Sequence, residues 1–89
     1  MDNSIIPPIL KIGQCSVMQA DVNTGHLLQI NGKLYLGKGE IFKIFIEFDE
    51  AEKYVTNQIL SNENLEFVIY DFNGKKIMYI SKYVRKNIE

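Results

Sequence analysis

The residues of this sequence best able to do chemistry are one histidine, His26, one cysteine, Cys15, and a run of carboxylates at Asp49, Glu50 and Glu52. A histidine acting as general base needs a nucleophile and an orienting carboxylate beside it, and nothing near His26 in the sequence supplies that set. Cys15 sits among apolar residues, where a thiol behaves as a small buried hydrophobe. One cysteine excludes an internal disulfide, and one cysteine with one histidine leaves no Cys/His zinc cluster. The three carboxylates are explained by helix capping and dipole compensation without an ion. Gly37-Lys38-Gly39 lacks the spacing and following helix of a phosphate-binding loop and reads as a turn. Lys75, Lys76, Lys82, Arg85 and Lys86 interleave with Tyr79 and Tyr83, the mixture that stacks on single-stranded nucleic acid. With one arginine in the chain, lysines that keep a sheet edge from aggregating account for the same pattern. The reading is therefore of a protein that is not an enzyme, with no catalytic residues, cofactor or metal.

Length and composition set the frame for these residues. The chain of 89 residues is one domain's worth, spanning 1–89, and Leu, Ile, Val and Phe supply 30 of them. That share, about a third, exceeds the roughly 20 % below which chains stay disordered. No apolar run reaches the roughly 18 residues that span a bilayer, and Met1–Pro8 lacks the basic start of a leader, so a soluble cytoplasmic protein away from the membrane is expected. The net charge is −1, but it is segregated. Residues 1–39 carry +1; residues 40–71 set Lys43 and Lys53 against eight carboxylates and carry −6; residues 72–89 carry +4. The near-neutral total argues against generic polyanion binding.

Pro7-Pro8 holds Ile6–Pro8 extended ahead of a first strand, Ile9–Met18, whose parity changes near Gly13 and predicts a bulge or bend there. Ala20–Gly25 is turn chemistry. His26–Ile30 and Lys33–Leu36 flank Asn31-Gly32 as a hairpin, and a two-residue turn pairs Ile30 with Lys33 and Leu28 with Tyr35. Glu40–Phe48 predicts a strand with Phe42, Ile44, Ile46 and Phe48 on its core face.

The period changes at Asp49, read as an N-cap with Glu52 at the capping-box position. Ala51, Tyr54, Val55, Gln58 and Ile59 form the buried stripe of a helix of about three turns that Ser61–Asn64 ends. Leu65–Asp71 and Lys75–Tyr83 form a second hairpin around Asn73-Gly74. A two-residue turn pairs Tyr70 with Ile77, whereas a bulged turn pairs Ile69 with Ile77; Asp71 favours the bulged form, and Phe67 and Ile69 are core in both. The whole predicts an α+β fold: an antiparallel sheet of about five to six strands with a single helix packed on one face.

Phe48-Asp49-Glu50-Ala51-Glu52-Lys53-Tyr54-Val55, followed by the run from Asn62 to Gly74, resembles small bacterial immunity proteins of toxin–immunity systems over about residues 40 to 80. That resemblance implies a cytoplasmic inhibitor that binds a cognate toxin, and it transfers no individual site residue. The residues themselves point to a protein-binding module, whose acidic block suits a basic toxin domain. Glu47, Glu50, Glu63 and Glu66 are the expected charged contacts, with Phe45 and Tyr70 as aromatic anchors. The alternatives are a small nucleic-acid-binding or phage-type regulatory protein using the C-terminal cations, and a homodimer that buries the uncovered sheet face.

Overall fold

The computed structural model describes residues 5–88; Met1–Ser4, part of the stretch read for a leader, and Glu89 lie outside the described residues. In chain order the elements are β1 (Cys15–Asp21), β2 (Leu27–Leu28), β3 (Lys43–Phe45), α1 (Phe48–Ser61), β4 (Leu65–Tyr70), β5 (Lys76–Ile80) and β6 (Arg85–Asn87). They make a six-stranded antiparallel sheet in the order β2-β1-β4-β5-β6, with β3 also paired to β1. One edge of β1 is shared: β3 takes Cys15–Val17 and β2 takes Gln19 and Ala20. The other edge pairs with β4 from Ser16 to Asp21. The α+β architecture with one helix on the sheet is as the sequence predicts.

Cross-strand partners share a face, so the ladder sorts the core. Val17 opposes Ile69, Phe67 opposes Ile80, and Ile69 opposes Met78; all are buried. Ala51 and Val55 of α1 seal this face, with Phe48, Tyr54 and Ile59 packed around them. The other face, which carries Met18, Glu66, Val68 and Tyr79, has no helix. The stretch before β1 lies against the β4–β5 turn, where the Leu10 N–H donates to the Phe72 carbonyl at 2.8 Å.

Several local expectations are corrected. The bend near Gly13 is present as a turn, with the Gln14 N–H donating to the Lys11 carbonyl, but regular strand begins only at Cys15. β1 then runs on to Asp21, because its ladder with β4 outweighs the turn propensity of Ala20 and Asp21. In the first hairpin, Gln29 and not Ile30 bonds Lys33, and Leu28 bridges Leu34 and not Tyr35. The loop has three residues, with Gly32 at φ +92° as the left-handed bulge position that a β-carbon disfavours. The second hairpin closes the same way: Asp71 bonds Lys75, and its Oδ1 accepts the Asn73 and Lys75 amides. Tyr70 therefore opposes Lys76, in the bulged register. The register then shifts so that Ile69 opposes Met78 and not Ile77, which delivers Met78 and Ile80 to the core.

The strand expected over Glu40–Phe48 shrinks to three residues with its faces exchanged. Cys15 opposes Phe45 and Val17 opposes Lys43, so Phe45 turns to the helix while Ile44 and Ile46 are left exposed. Asp49 is not the N-cap. The helix starts two residues earlier than that cap requires, at Phe48, and Glu47 holds the cap position with extended backbone but no side-chain bond. Phe48 is drawn into the core, and this carries the first turn back past Asp49. The last difference is β6: the segment from Lys75 to Tyr83 is not one strand but ends at Ile80, turns, and returns as an edge strand.

Candidate protein-binding surface

The segment between β3 and the first turn of α1 concentrates exposed apolar and acidic residues. Ile44 is 43 % exposed and Ile46 is 71 % exposed, because pairing with β1 aims Phe45, between them, at the helix. Glu47, Asp49 and Glu50 follow, all exposed. The mount is firm. Phe45 stacks on Tyr54 with ring centroids 5.2 Å apart, and Phe48 packs on the core. Lys43 lies over those same rings, 5.4 Å from the Tyr54 centroid. Its ammonium is thereby held on the helix side of the strand. The acids also lie where α1 presents its orphan amides and positive dipole end. Behind them Cys15 is buried, and its thiol is pushed up, first by burial and then by the charge on Glu50.

The residues expected to contact a partner fall in three places. Phe45, Glu47 and Glu50 share this end of α1. Glu63 lies past the other end of the helix, roughly 20 Å away for 14 residues, and is ion-paired with Lys82. Glu66 and Tyr70 belong to the face away from the helix. Glu66 accepts a hydrogen bond from the Tyr79 hydroxyl. Tyr70 is 5 % exposed, packed edge-on against Phe42, and its phenol is pushed up by burial. Sequence reasoning missed Ile44 and Ile46, which strand alternation alone assigned to the core.

The C-terminal cations divide as well. Lys82 is engaged by Glu63 and Arg85 by Glu52 of the helix, while Lys76 and Lys86 have no ion-pair partner among the described residues. His26 is exposed and lines a cleft of about 590 Å³, and Asp21 nearby spends its Oδ1 on the Asn23 and Thr24 amides. Among the described residues no helix is long and apolar enough to cross a membrane, and no three His, Cys, Asp or Glu side chains converge as metal ligands. No protein-family model, curated protein or solved structure matches the chain.

Proposed function

We propose that the chain is a non-catalytic protein-binding module that neutralises a cognate bacterial toxin, meeting a basic partner surface with the segment from Ile44 to Glu50. One observation carries this reading: two exposed isoleucines stand beside three exposed carboxylates on a rigidly packed strand end. Apolar anchors within a charged rim are the composition of a specific interface. Carboxylates of one sign speed encounter with a basic partner more than they tighten the final complex. The resemblance to immunity proteins points the same way. The competing reading, nucleic-acid binding, draws on Lys76 and Lys86 beside Tyr79.

The test is a titration of the purified protein with a candidate basic toxin domain, and with single-stranded DNA, at two salt concentrations. Reversing Glu47 and Glu50 to Lys should slow association with the toxin and flatten its salt dependence. Ile46→Asp should weaken the complex at equilibrium by about tenfold or more, as loss of an interface anchor does. Tight oligonucleotide binding, abolished by Lys76→Glu and Lys86→Glu and unaccompanied by toxin binding, would replace this reading with the other.

A further inference from the structure

The far edge of the sheet has a construction that the proposed interface does not use. β6 ends the sheet order, paired to β5 on one side only. The Ser81 N–H donates to the Val84 carbonyl and the Ile88 N–H to the Ile77 carbonyl, so Val84 and Ile88, with Lys86 between them opposite Tyr79, bond inward. In an antiparallel ladder the alternate residues then face out. The free edge accordingly presents the N–H and C=O of Arg85 and Asn87.

Grooves border this edge on both faces of the sheet. On the face away from the helix, Val68, Tyr79, Val84 and Ile88 floor an open groove of about 680 Å³, with Lys76 and Lys86 on it. On the helix face, Ile59, Leu60, Tyr83 and Val84 line a second groove of about 310 Å³ beside Lys82 and Arg85. Leu60 and Tyr83 are 80 % and 84 % exposed there. A strand laid along β6 would send its side chains alternately over these two apolar floors.

We propose that β6 receives an extended segment of a partner protein, acidic and alternating with apolar residues, as a seventh strand. Charge selects this occupant. Four cations flank the edge, and Lys76 and Lys86 meet no carboxylate among the described residues. A second copy pairing through β6 would set Arg85 and Lys86 against their own kind, which like-charge opposition across a ladder disfavours. The same cations that block self-pairing would draw in an acidic strand.

The experiment follows backbone amides of the isotope-labelled full chain while acetyl-Glu-Val-Glu-Ile-Glu-Val-amide is added. The shifts of Arg85 and Asn87 should move and their hydrogen exchange should slow. The Lys-for-Glu version of the peptide should bind about tenfold more weakly or worse. So should an acidic peptide methylated at alternate backbone nitrogens, since it keeps its charge and loses the ladder bonds. That peptide control needs no altered protein. On the protein side, Asn87→Pro removes an outward N–H and should abolish binding, whereas Lys86→Gln should only weaken it. Undiminished binding by the methylated peptide, or no shift at millimolar peptide, would overturn the proposal. So would slowed exchange at Arg85 and Asn87 that tracks a concentration-dependent dimer in sedimentation, which makes a second copy the occupant, or tighter binding of oligo-dT to the same groove. The outcome is independent of the segment from Ile44 to Glu50, so the two proposals stand or fall separately.

Discussion

The phenols and the thiol give the most direct check on single positions. Burial pushes Tyr54 and Tyr70 up, the hydrogen bond to Glu66 does so first for Tyr79, and burial holds up Cys15. Each folded-state pKa is raised, so the folded chain binds protons more tightly than the unfolded one. The stability this confers is fully present below the ordinary values of 9.0 for the thiol and 10.0 for the phenols and is lost as pH rises through the raised ones. Denaturant midpoints should therefore fall as pH climbs above about 9, and ultraviolet titration should find late-ionising tyrosines. Cys15 should react with a thiol reagent only as fast as the chain opens. Phe67 is fully buried between Tyr54 and the ladder, and Phe67→Ala should cost about 3–5 kcal/mol in a denaturant titration. Its place in the core was legible from the sequence, because Phe67 and Ile69 are apolar at a spacing of two in every register considered.

Helix α1 shows where local patterns suffice and where they do not. Its stripe from Ala51 to Ile59 follows from a period that only a helix satisfies, and its end at Ser61 follows from the polar run after it. Its start does not follow. Asp49 outranks Glu as a cap by propensity, but the burial of Phe48 decides the first turn, and burial is a tertiary quantity. The consequence is measurable by thermal or denaturant melting. Asp49→Ala should cost only about 0.3–1 kcal/mol, the worth of a charge near a helix dipole. Glu47→Ser should add the missing cap bond and stabilise by about 0.5–2 kcal/mol. The strand before the helix failed for the same reason. Ile41, Phe42, Ile44, Phe45, Ile46 and Phe48 are all apolar, so alternation could not say which parity faces inward, and the opposition of Cys15 to Phe45 settled it. That choice exposed Ile44 and Ile46, and with them the candidate surface.

At the scale of the whole molecule, topology was the least legible quantity. Hairpins announce themselves locally through Asn31-Gly32 and Asn73-Gly74, but the pairing of β1 with β4 joins residues about fifty positions apart with no local signal. β6 was hidden because its three residues, Arg85-Lys86-Asn87, are all polar and carry no apolar alternation to mark a strand. Segregated charge survives in part as geometry: Glu47, Asp49 and Glu50 lie where β3 meets α1 while Glu63 and Glu66 lie elsewhere, and Lys76 and Lys86 lie toward the β6 edge. Glu63–Lys82 and Glu52–Arg85 join the two charge blocks. Both pairs are largely on the surface, so replacing Lys82 by Met should shift the melting midpoint little, even at low salt.

The position of β1 in the sheet bears on how the chain is made. The strand emerges before its main partner, and its longest ladder, Ser16–Asp21 against Leu65–Tyr70, cannot form until β4 has followed it. Until then β1 has only the short contacts of β2 and β3, and Val17 has no Ile69 to bury against. Contacts so distant in sequence place folding toward the slower range, about milliseconds to seconds, and make it one cooperative event. A chain ending at Ser61 should be unfolded by circular dichroism, because it lacks the strand against which β1 forms its longest ladder.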